Sequence, residues 1–165
     1  MDSIELIRQN LERSRDRVLA RVEDMAAHAF VPPTPNGGGH TLWVVGHLAY
    51  VEGLVVHGFL LGEANPLAAW EAPFDGGDVS SDPAAYPEFE AVLAACRAQR
   101  ESTLAFVGRL SESDLDTEAA NAPEGFADTF GTYRLGLQFL ADHWYMHRGQ
   151  LAGARRAAQL RRMWL

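Results

Sequence analysis

Apolar residues recur every third or fourth position through four long stretches of this chain, and each stretch stops at a cluster of proline or glycine. Sustained period-two alternation, the mark of a half-buried strand, occurs nowhere. Side chains three and four apart share one face of a helix, so each stretch reads as a helix with one buried side. The first runs from about Ser3 to Ala29. Ile4, Leu6, Ile7, Leu11, Val18, Leu19, Val22 and Met25 carry its pattern, and Asp2 or Ser3 is placed to cap it. VPPTPNGGG (Val31–Gly39) cannot continue it, because proline lacks the backbone donor and glycine is too flexible. The second stretch runs from about Thr41 to Gly62, the third from about Pro83 to Leu110, and the fourth from Thr132, a cap, to about Leu160. SESDLD (Ser111–Asp116) reads as a short extra turn. The expected fold class is all-α: one domain over residues 1–165, a four-helix bundle with long crossover connections. The segments around Pro66–Asp82 and Asp116–Gly131 are longer than an up-down bundle needs, so they are expected to cross over or to cover a site.

Composition removes several functions. The 165 residues are 47% apolar and 22% charged, an ordinary globular balance, and the net charge is −8. An acidic surface repels phosphate backbones, so no nucleic-acid partner is expected. No uninterrupted apolar run reaches the length of a membrane span, and no membrane role is expected. MDSIELIRQN has no secretory pattern and Cys96 is the only cysteine, which together favour a cytoplasmic location. All fourteen basic residues are arginine. Without lysine there is no Schiff-base chemistry, no Ser-Lys dyad and no Walker P-loop.

The histidines carry the chemistry. His143 and His147 lie four apart in ADHWYMHRGQL, so one helix face presents both imidazoles. Two rings on one rigid helix lose little further freedom on binding a cation. His47 shares the apolar face of the second helix with Leu48, Val51 and Leu54, and packing the second helix against the fourth would bring three imidazoles together. A histidine on an apolar face is also compatible with a core residue bonded to a carbonyl. Three buried without partners would each cost about 1–3 kcal/mol, which a single shared cation would offset. Gly46 and Gly149 flank the proposed ligands and would let helices approach closely. Tyr50 and Gln150 follow His47 and His147 by three residues, as supporting or substrate contacts or as plain surface and packing residues. Trp43 and Trp144 fit a pocket lining or the core, and His40 a solvated loop or the mouth of the site. Glu52 is turned away from His47, so no general base stands out. Cys96 reads as an inert core thiol, and DGGDVSSD (Asp75–Asp82) as a solvated loop without calcium spacing.

Other catalytic patterns are missing. There is no GxSxG elbow, no CxxC, no HExxH and no ExxH carboxylate set for a di-iron bundle. Arg155, Arg156, Arg161 and Arg162 near the C-terminus complement a helix dipole, with an anion site as the alternative. Met163-Trp164-Leu165 reads as an apolar hook for a partner subunit.

Three segments together carry a resemblance: WVVGHLAYVEG (Trp43–Gly53), YPEFEAVLAACRAQRESTLAFVGRL (Tyr86–Leu110) and FGTYRLGLQFLADHWYMHRGQLAGARRA (Phe130–Ala157). In order, they resemble the DinB/YfiT-like superfamily over essentially the whole chain. The resemblance implies a four-helix bundle with crossovers, a homodimer, and a divalent metal held by His47, His143 and His147. It also implies chemistry of the kinds found among such proteins, including S-transfer from a low-molecular-weight thiol such as bacillithiol or mycothiol, and maleylpyruvate isomerisation. Nitrogen-only ligands suit Zn, Ni, Co or Fe without choosing among them. Three histidines leave a coordination position open, the mark of a catalytic site. The expectation is a metal-dependent hydrolase or thiol-dependent transferase acting on a small molecule. The alternatives are a non-catalytic metal or small-molecule binding module of a stress response, and a dimerising scaffold whose histidines are core residues.

Overall fold

The computed structural model describes residues 2–161 and 163, and among these the chain is helical with no strand. Helix α1 spans Ser3–Leu19, α2 Thr41–Gly53, α3 Glu71–Phe74, α4 Phe89–Val107, α5 Ala127–Phe130 and α6 Tyr133–Ala157. Helix α2 runs on as a π-helix over Leu54–Leu61 and ends at Gly62, whose φ of +69° suits glycine. Three of the α-helix N-termini are closed by side chains. Asp2 accepts from Glu5 N, Thr132 from Leu135 N, and the His40 imidazole from Trp43 N at 3.1 Å.

Helix α2 packs against α4 and α6, and α1 packs against α6 and α4. The core falls into two clusters. One gathers Val18, Val22, Met25, Leu42, Leu48, Phe74, Val92, Cys96, Trp144 and Leu151, and the other Ile7, Leu11, Val55, Leu60, Phe106, Val107, Leu137 and Leu140. Arg100 bridges them, fully buried. Its guanidinium forms a two-pronged pair with Glu52 at 2.7 and 2.8 Å, donates to Leu11 O and Ser14 Oγ, and lies 3.9 Å over the Trp144 ring. Glu52 is thus turned from His47, as expected, into this pair. Cys96 has no exposed surface, and burial pushes its thiol well above the ordinary range.

The first helix is shorter than its apolar pattern predicts. It stops at Leu19, turns follow, and a 3₁₀ turn covers Ala26–His28. Val22 and Met25 stay fully buried, so the periodicity continues where the helix does not. Arg155 explains the break: its guanidinium donates to Arg21 O at 3.0 Å and pairs with the Asp24 carboxylate. Arg155 is therefore a buried tie between α6 and the turn after α1, not a surface complement to the helix dipole. The third and fourth patterns shorten to α4 and α6, with separate 3₁₀ turns at Pro83–Ala85 and Ser113–Asp116. The stretch Thr41–Leu61 is long and apolar enough to cross a membrane by length and composition, and 67% of its most apolar window is buried inside the protein. Met163 is exposed, whereas Arg162, Trp164 and Leu165 lie outside the described residues.

Candidate metal centre

His47 comes from the middle of α2 and His143 and His147 from α6, and all three are buried, with 9%, 7% and 4% of their surface exposed. Their Nε2 atoms converge. His143 Nε2 lies 3.2 Å from His47 Nε2 and 3.0 Å from His147 Nε2. Gly46, beside His47, lets α3 lie close over α2, since a Cβ there would run into the Phe74 ring.

The outer ring nitrogens decide what these atoms can do. His47 Nδ1 donates to the Phe74 carbonyl at 2.7 Å, and His147 Nδ1 donates to Gln150 Oε1 at 2.7 Å. A neutral imidazole carries one proton, so both Nε2 atoms keep a lone pair aimed at the cluster. His143 Nδ1 is buried without a hydrogen-bond partner, and its ring is held by stacking on Phe139, 5.2 Å away with planes 15° apart. Trp43 stacks on His47 at 4.7 Å and 9°. All three rings are held neutral. Burial is the main cause, pushing His143 down to about 3 and His147 to about 4. For His143 the positive potential of the other two histidines and Arg100 adds to it. Burial also lowers His47, against the opposing pull of the Phe74 carbonyl and the Asp75 carboxylate.

This donor set fits a divalent cation. Metal–nitrogen bonds of about 2.0–2.1 Å put paired nitrogens about 2.9–3.4 Å apart for angles between a right angle and the tetrahedral value. Both spacings to His143 lie in that interval, all three nitrogens lie within 4.8 Å of one another, and metal binding needs the neutral imidazoles that burial provides. Among the described residues no fourth histidine, cysteine or carboxylate joins the group.

A family model described as the DinB superfamily matches residues 10–151, most of the chain and all three histidines. The chain belongs to the DinB superfamily. A comparison with curated proteins finds no match.

In this DinB-superfamily chain, other residues sit where the sequence placed them only in part. Gln150 supports His147, as its spacing allowed. Gly149 does not mediate close packing, because nothing lies within 4 Å of where its Cβ would be. His40 is not the solvated loop residue expected of it. It is 3% exposed, caps α2, and donates from Nε2 to Ser80 O at 3.0 Å. Trp144 lies in the core over Arg100. The first long connecting segment reaches the cluster through the Phe74 carbonyl, whereas the second touches only the Phe139 ring that stacks on His143, with Phe130 4.8 Å from it. Sequence reasoning missed the Phe74 carbonyl, which no side-chain pattern reveals. It also missed Asp75, whose charge reaches His47 and Tyr50.

Proposed function

We propose that this protein is a divalent-metal-dependent enzyme, a hydrolase or a thiol-dependent transferase acting on a small molecule, with His47, His143 and His147 as its metal ligands. One observation carries the reading: two imidazoles whose outer nitrogens are committed to Phe74 and Gln150 aim bare Nε2 atoms at a third within 3.2 Å. Bound there, Zn, Ni, Co or Fe supplies Lewis acidity and coordination positions for substrate.

The chain's own residues do the rest. Phe74 and Gln150 fix the rings that must stay neutral, and Trp43 and Phe139 wall the cluster with stacked apolar faces. Asp75, next in the chain to the carbonyl that holds His47 Nδ1, is the carboxylate we assign to proton movement at the site. The wider reading is a four-helix bundle with two crossovers, one domain, working as a cytoplasmic homodimer. The packing of α2 on α4 and α6, and of α1 on both, supports the bundle.

Elemental analysis of untagged protein, purified without a nickel resin, tests the centre. We expect about one divalent ion per chain, lost in His143→Ala. Metal-free protein whose melting ignores added zinc and nickel would reject it. For the reaction, low-molecular-weight thiols with electrophiles and a set of hydrolysable esters and amides are the substrates to screen. Asp75→Asn should keep the metal and slow whichever reaction is found. Metal without any turnover would favour the binding-module alternative.

A further inference from the structure

A groove of about 520 Å³ runs beside the metal centre, between the Pro33–Gly38 turn and the outer face of α6. Its volume is that of a small-molecule site. Three features of its lining point to one kind of occupant.

The first is Gly149. Glycine weakens a helix interior relative to alanine, and most of the helical glycines near the core have a packing reason. A Cβ on Gly136 would press on Leu60 at 2.8 Å, and one on Gly153 would lie 3.1 Å from Pro33. Gly149, well inside α6, has nothing within 4 Å, and it lines the groove. What its missing side chain preserves is the open space itself. The second feature is charge. Arg156 is the only charged residue in the lining, on a chain of net charge −8, and its guanidinium has no hydrogen bond or ion pair among the described residues. The third is Gln150. It lines the groove while its Oε1 holds His147, which leaves its amide N–H groups for a ligand. Gln150 and Arg156 are six residues apart on one helix, about 9 Å along its axis.

We propose that this groove binds a small organic oxyanion, its carboxylate or phosphate on Arg156 and its other end at Gln150. The ligand would thereby be presented beside the metal centre as its substrate. The proposal rests on the reading of the histidines as a metal centre only for that last role. Binding in the groove does not require the metal.

Two probes distinguish the oxyanion: glutarate for carboxylate, phenyl phosphate for phosphate. Each is titrated by calorimetry into metal-loaded and chelator-treated protein, with amide NMR shifts followed at Gly37, Gly38, Gly149 and Gln150. We expect at least one probe to bind, with shifts at those residues and at Arg156 and none across the rest of the fold. Arg156→Ala should weaken it about tenfold or more, as loss of a charge-assisted pair does. Gly149→Leu should abolish binding while keeping metal content and melting at or above the wild-type value, because its side chain enters empty space and the helix loses a glycine. No binding of either probe at about 10 mM, a range that detects even weak ligands, would overturn the proposal. So would binding unchanged in both variants. Probe binding to a protein that takes up no added zinc or nickel would retain the groove and reject the metal centre. Metal without probe binding would do the reverse.

Discussion

At the scale of single residues, the imidazole cluster makes the metal-free protein sensitive to acid. In the unfolded chain these histidines protonate near their ordinary value of 6.5, whereas in the fold burial holds His143 near 3 and His147 near 4. Between those limits the unfolded state binds protons that the folded state refuses. The stability the neutral rings allow is therefore complete above about pH 6.5 and is lost as the pH falls toward 4. Denaturation midpoints of chelator-treated protein across that window should fall steeply, and the His143→Ala, His147→Ala double variant should give a flatter profile. An equally steep profile in the variant would place the sensitivity elsewhere. The three histidines were legible because i, i+4 spacing and a shared apolar face are properties of side chains. The Phe74 carbonyl that sets the His47 tautomer was not, since every residue has a carbonyl and only the folded path of the chain shows which one arrives. His40 misled for a related reason. Beside three glycines it looks like a loop residue, yet its ring replaces the usual Ser, Thr, Asp or Asn at a helix cap.

At the scale of elements, two glycines on facing helices should respond oppositely to the same change. Gly149→Ala adds a methyl into open space and removes the glycine penalty, so stability should rise by about 1 kcal/mol. Gly46→Ala drives a methyl into the buried Phe74 ring and should lower it, by about 1–3 kcal/mol. Urea denaturation of both variants reads the two signs directly, and matching signs would contradict the packing described for either helix. Glu52→Ala strands the Arg100 guanidinium in the core and should cost about 3–5 kcal/mol. Chemical denaturation measures that loss, and one below about 1 kcal/mol would mean that water reaches the charge. Helix positions were largely readable from periodicity, and helix ends were not. Val22 and Met25 continue the apolar pattern of α1 because the turn after Leu19 remains buried, and the event that ends the helix is a distant arginine claiming the Arg21 carbonyl. The π-helical continuation of α2 was likewise invisible, since a wider turn alters hydrogen bonding without altering composition.

At the scale of the whole molecule, a cation held by His47, His143 and His147 would join α2 to α6 and bind the folded state rather than the unfolded chain. At about a hundredfold excess over its dissociation constant it should add about 2.7 kcal/mol. For a chain of this size that corresponds to a melting rise of about 5–10 °C. Differential scanning calorimetry with zinc and then with excess chelator should show the rise and its reversal, and His47→Ala should abolish both. Arg100 sets how that gain spreads. Rooted in α4, it reaches α1 through Leu11 and Ser14, α2 through Glu52, and α6 through Trp144. A single side chain thus fastens the four long rods at one knot between the two apolar clusters. No rod can fray past that knot alone, so amide protons on both sides of it should exchange with solvent at one common, slow rate.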